Sequence, residues 1–134
     1  MALVLAAGLA RPAASAGPEA STIVGVWKGT STCVDREVAP ACTDEVVVYT
    51  FTRKDGAPAG TVALSADKVV DGKREFMGEL VGTWDGAKGT WTSEYRSARW
   101  YGVWSFTIAG KELSGTLVDG PTKKVIRRIE AKRE

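Results

Sequence analysis

From Thr22 onward the chain alternates apolar and polar residues with a period of two, and glycine-containing turns interrupt the alternation at short intervals. In residues 98–108, Trp100, Gly102, Trp104, Phe106 and Ile108 fall on one face, while Arg99, Tyr101, Val103, Ser105 and Thr107 fall on the other. In residues 74–84 the repeating set is Phe76, Gly78, Leu80, Gly82 and Trp84. Successive side chains of a strand point to opposite faces, so each segment predicts a strand with one buried side. Asp-Gly stands at 55–56, 71–72, 85–86 and 119–120, and Ala109-Gly110-Lys111 offers a fifth turn. Glycine accepts positive φ and aspartate tolerates it, so these pairs mark hairpins.

The pattern predicts eight strands, over 22–32, 44–53, 60–69, 74–84, 89–96, 98–108, 111–118 and 122–132. No long stretch has helical periodicity, and residues 33–43 form the least regular connection. Consecutive hairpins with one apolar face need closure or a second sheet. Every connection is short, whereas a Greek key needs a longer crossing. The expected fold is therefore all-β, an antiparallel up-and-down eight-stranded barrel, which leaves no exposed edge. Ile23, Gly25, Trp27, Val47, Tyr49, Phe51, Val62, Leu64, Trp91, Leu113 and Leu117 are further inward candidates. If the Phe76 face looks inward, Glu75 and Glu79 lie outside.

Composition narrows the function classes. The chain has 134 residues, 44% hydrophobic and 25% charged, which suits one globular domain. A net charge of +2 gives no reason to expect a nucleic-acid partner. Lys123, Lys124, Arg127, Arg128, Lys132 and Arg133 cluster near the end, but Glu130 and Glu134 interrupt them. They read as the solvated charges of a final strand. There is no histidine, which removes the commonest general base and metal ligand. No G-x-S-x-G elbow is present. Glu75, Glu79 and Glu94 are the carboxylates on or near strands, and surface solubility accounts for them better than acid catalysis. The expectation is a protein that is not an enzyme and uses no cofactor or metal.

The first residues resemble an export signal. Ala2 to Ala10 is an apolar run, too short to span a bilayer as a helix, and Ala14-Ser15-Ala16 matches an A-x-A cleavage site. Residues 1–16 are thus expected to be a signal peptide, 17–21 an arm and 22–134 the barrel, in a secreted or periplasmic protein without a transmembrane segment. Cys33 and Cys42 flank a polar, proline-containing loop and agree with export. Their pairing as a disulfide would contribute about 2–3 kcal/mol on a chain-entropy model. A two-thiol metal site is the alternative, with an incomplete ligand set for zinc.

Of five tryptophans, four follow a glycine by two residues: Gly25/Trp27, Gly82/Trp84, Gly89/Trp91 and Gly102/Trp104. Residues i and i+2 share a strand face, so the glycine is expected to leave room for the ring and to let the strand coil. With Gly25-Val26-Trp27 in the first strand and Arg127 and Arg128 in the last, the chain resembles the lipocalin-like, or calycin, barrels. The resemblance implies that Trp27 packs against a basic residue that closes the barrel floor. Arg127 is the favoured partner, since it alternates with Val125 and Ile129. A guanidinium over an indole adds about 0.5–2 kcal/mol. The chain is shorter than typical lipocalins and has no following helix, which makes it more like avidin-like or small bacterial lipocalin-like domains. No avidin ligand set matches residue by residue, so biotin binding is not implied.

An eight-stranded barrel is either filled by its side chains or holds one small ligand. Inward glycines remove volume and inward tryptophans add it, so the pattern leaves both outcomes open. The first functional expectation is a non-enzymatic barrel that binds a small, largely apolar molecule. Tyr49, Trp84, Trp91, Trp100 and Trp104 are its candidate ligand-binding residues, with Tyr95 as a second polar handle and loop 33–42 over the mouth. The alternatives are a filled structural barrel and a module with a protein partner, such as a periplasmic protease inhibitor that inserts Gly17-Pro18-Glu19-Ala20-Ser21 into its target.

Overall fold

The computed structural model describes residues 22–134, so the expected signal peptide and arm lie outside the described residues. Eight strands form one closed antiparallel barrel in sequence order. They are β1 (Gly25–Cys33), β2 (Glu45–Arg53), β3 (Thr61–Val70), β4 (Lys73–Asp85), β5 (Thr90–Arg96), β6 (Tyr101–Ala109), β7 (Glu112–Asp119) and β8 (Val125–Arg133). The last strand pairs with the first, Trp27 opposite Arg133 and Cys33 opposite Arg127. The fold class and strand count agree with the hydrophobic pattern. Trp100 differs, because it stands in the β5–β6 loop ahead of β6. No helix among the described residues is long and apolar enough to cross a membrane.

The core fills one end of the barrel. Ile23, Trp27, Val47, Phe51, Val62, Trp91, Phe106, Leu113 and Ile129 are all essentially inaccessible. Trp91 stacks on Phe106 at 5.5 Å, and Phe51 meets both rings edge-on at 5.3 and 5.8 Å. Such pairs add about 0.5–1.5 kcal/mol beyond burial of their area. Each buried indole also places its N–H: Trp91 Nε1 donates to the Val62 carbonyl at 3.0 Å and Trp27 Nε1 to the Ile23 carbonyl at 2.8 Å.

Three expectations are corrected here. First, the floor arginine is Arg133, not Arg127. Its guanidinium lies 4.4 Å from the Trp27 ring and donates to the Val24 carbonyl at 2.8 Å and to the Thr22 carbonyl. Arg127 and Arg133 share the inward parity, but at about 3.3 Å per residue they stand roughly 20 Å apart along β8. Arg127 is therefore at the other end.

Second, Phe76 does not look inward; it is 68% exposed. Ala66 pairs with Gly78 and Asp67 with Phe76, so Met77 is an extra residue in β4. A bulge reverses the alternation beyond it. Glu75 accordingly exchanges faces with Phe76 and lies 3.9 Å from the ammonium of Lys68.

Third, the Gly-x-Trp spacing does not pair each glycine with its own tryptophan. The bare face of Gly82 is covered by Trp91 of the neighbouring strand, and that of Gly102 by Trp100. A side chain at either position would collide with an indole ring.

Cys33 and Cys42 form a disulfide across the β1–β2 loop. Asp35 organises the loop by accepting from the Glu37 and Val38 amides, while Arg36 donates to the Cys42 carbonyl at 2.8 Å.

Candidate functional site

The end opposite the Trp27 floor is not filled. It holds a cavity of about 290 Å³, bounded by Leu64, Ala66 and Leu80 on β3 and β4, Trp104 and Leu117 on β6 and β7, and Trp100 and Tyr95 at the rim. Most of its surface is hydrocarbon or aromatic. Met77 and Tyr95 line it and are also 41% and 42% exposed, so the cavity communicates with solvent between β4 and β5.

The ladder explains that opening. β4 and β5 share only three pairs, Thr83–Thr92, Trp84–Trp91 and Asp85–Thr90. β3 and β4, by contrast, remain paired from Thr61–Thr83 to Val70–Lys73. Above Thr92 the Ser93 hydroxyl donates to the Val81 carbonyl at 2.8 Å, where a ladder bond would otherwise continue. The Met77 bulge then bends β4, as an unpaired extra residue does.

Trp100 is pinned at the rim by its surroundings. Its Nε1 donates to the Asp119 carboxylate at 2.6 Å. The other Asp119 oxygen accepts from the Thr122 amide at 2.9 Å and the Thr122 hydroxyl at 2.6 Å. These donors, Thr122 first and Trp100 next, hold the Asp119 carboxyl below the usual carboxylate range. The Ser97 hydroxyl receives the Trp100 amide at 3.2 Å. A loop residue is thus fixed by an aspartate on β7.

One wall is polar. Arg127 Nη1 donates to Ser31 Oγ at 2.9 Å, and Nη2 donates to the Thr43 carbonyl at 2.9 Å. Nη2 also lies 3.4 Å from Glu45 Oε1, with the two side chains only 13% and 19% exposed. Tyr49 lies beside them, 2% exposed. Burial first, and then the Glu45 charge, push its phenol well above the ordinary tyrosine range, with Arg127 and Ser31 acting the other way. Tyr49 is therefore a neutral hydrogen-bonding group at any physiological pH.

The sequence-predicted residues divide between the two ends. Tyr49, Trp100, Trp104 and Tyr95 line the cavity. Trp91 lies in the filled core, and Trp84 is beside Thr22 and Arg133 at the floor. Gly25 and Trp27 also belong to the floor, where Arg133 approaches both. No residue from 33 to 44 lines the cavity; just past the disulfide, the Thr43 carbonyl bears on it indirectly by accepting from Arg127. Sequence reasoning placed Leu80 and Leu117 on inward faces without assigning them to the cavity, and it missed Glu45 and the mouth position of Arg127. The last follows only from the β1–β8 register, which sets Arg133 opposite Trp27 and Arg127 opposite Cys33.

No group of acidic or cysteine side chains able to hold a metal occurs among the described residues. No protein-family model and no curated protein matches the sequence.

Proposed function

We propose that this protein is a non-enzymatic calycin-like barrel that binds one small, largely apolar molecule in its open end. The cavity carries this reading: a space of about 290 Å³ walled by Trp100, Trp104, Tyr95 and aliphatic side chains. Binding sites are typically concave, apolar and supplied with a few polar groups that set orientation, and this cavity has all three properties. The Cys33–Cys42 disulfide supports a secreted or periplasmic setting, because such bonds persist in oxidising compartments.

Intrinsic tryptophan fluorescence tests the proposal, since Trp100 and Trp104 are in the cavity wall. Titration with small aromatic compounds is expected to give saturable quenching or a spectral shift. Trp104→Ala should weaken it by about tenfold or more, the loss of one aromatic wall. An unchanged spectrum across the panel, from a folded protein, would show that the cavity takes no such guest.

A further inference from the structure

Resting on that reading of the cavity, we infer that its guest carries an uncharged head able both to donate and to accept hydrogen bonds, of carboxamide type, directed at Arg127, Glu45 and Tyr49. The buried polar side chains that line the cavity are Arg127 on β8 and Glu45 and Tyr49 on β2, with Ser31 of β1 between them; Glu79 of β4 also lines it, but its side chain is half-exposed and lies 3.4 Å from the ammonium of Lys54. The opposite wall, with Leu80 and Trp104, is apolar, and Leu117 stands beside Arg127 across the β7–β8 ladder. A guest seated between them has a greasy body facing one side and a polar end facing the other.

Charge selects the kind of polar end. The wall holds one guanidinium and one carboxylate 3.4 Å apart, and so is neutral as a unit. A carboxylate guest that approached Arg127 would also approach Glu45. An ammonium guest that approached Glu45 would meet Arg127. Either ion would give up hydration without an uncompensated partner in return, which costs free energy against largely apolar walls.

Hydrogen-bonding capacity points the same way. The guanidinium carries more N–H donors than Ser31, Thr43 and Glu45 use, and the Glu45 carboxylate has acceptor positions beyond its one long contact. The neutral Tyr49 phenol adds a group that can act in either sense. Spare donors and spare acceptors side by side match a small amide. The volume, near the lower end of the roughly 300–1,000 Å³ usual for small-molecule sites, admits a one- or two-ring body.

Four probes with one ring and different heads decide the matter: benzamide, benzoate, benzylammonium and toluene. Binding is followed through the tryptophan indole N–H resonances of the folded protein. Benzamide is expected to bind about tenfold more tightly than either ion, whose buried charge finds no free counter-charge. Glu45→Gln leaves Arg127 uncompensated and should move benzoate to first place. Arg127→Gln should instead favour benzylammonium. Equal affinities for all four, or an order in wild-type protein led by an ion, would overturn the inference while leaving the hollow-barrel reading intact. Resonances that no probe shifts would overturn both.

Discussion

The two ends of this barrel use the same residue types for different purposes. At the Trp27 end, tryptophans and phenylalanines interlock: Trp91 stacks on Phe106 at 5.5 Å, and Arg133 caps Trp27 at 4.4 Å. At the other end, Trp100 and Trp104 flank open space, and an arginine of the same strand parity points into a polar wall. The contrast shows that an inward tryptophan is a filler or a wall according to what stands across from it. Across from Trp91 are Phe51 and Phe106; across from Trp100 and Trp104 is a stretch of β4 bent away from β5.

The sharpest way to break this comparison is to remove one ring from each end. Trp91→Ala should cost about 3–5 kcal/mol, the usual loss for deleting a fully buried aromatic. Trp100→Ala should cost only about 1–2 kcal/mol, because its ring is half-buried beside a cavity that already exists. Urea unfolding of both variants measures the difference, and equal losses would mean that the upper end is packed as tightly as the lower.

A second measurement reads the backbone. Amide hydrogen exchange should be at least about tenfold faster for those amides of Gly78–Val81 and Ser93–Tyr95 that face the β4–β5 seam than for the amides of the same segments that face β3 and β6, since paired amides in a buried ladder open least often. Equal protection of the seam-facing and ladder-facing amides would remove the seam.

The mildest effect expected is on pH. Asp119 has a lowered folded-state pKa, so its contribution is present above the ordinary carboxylate range and is lost as the pH falls towards the lowered value. The emission of Trp100 should therefore stay constant from neutral to mildly acid solution and change only in stronger acid. Asp119→Asn should abolish that transition. A change centred near neutrality would assign the effect to another group.

Much of the fold could be read from alternation and Asp-Gly turns, because both arise within a few residues of chain. The limits of β4 show where such reading stops. Nothing local in Glu75-Phe76-Met77-Gly78 announces a bulge; it appears when Asp67 and Ala66 select their partners across the hairpin. The floor shows a related limit. Arg127 and Arg133 are equivalent by parity, and only the β1–β8 register, with Trp27 opposite Arg133, distinguishes them. Trp100 illustrates a third. Its position depends on Asp119, 19 residues further along, and the Asp-Gly signal there marked a turn without revealing that the aspartate also holds an indole. The cavity, the product of these three long-range choices, was correspondingly the least legible part.

The extra residue in β4 bears on time as well as shape. Here the side of the cup ends early, where Ser93 replaces a ladder bond with its hydroxyl contact to Val81 at 2.8 Å. For a guest held as proposed, departure sideways past Met77 and Tyr95 needs no lid to swing. Deleting Met77 would leave Gly78 inside and Phe76 outside in unbroken alternation, and would let β4 run straight beside β5. The barrel would lose its side door and, apart from the Met77 side chain itself, keep its walls, so one residue would set how long a visitor stays.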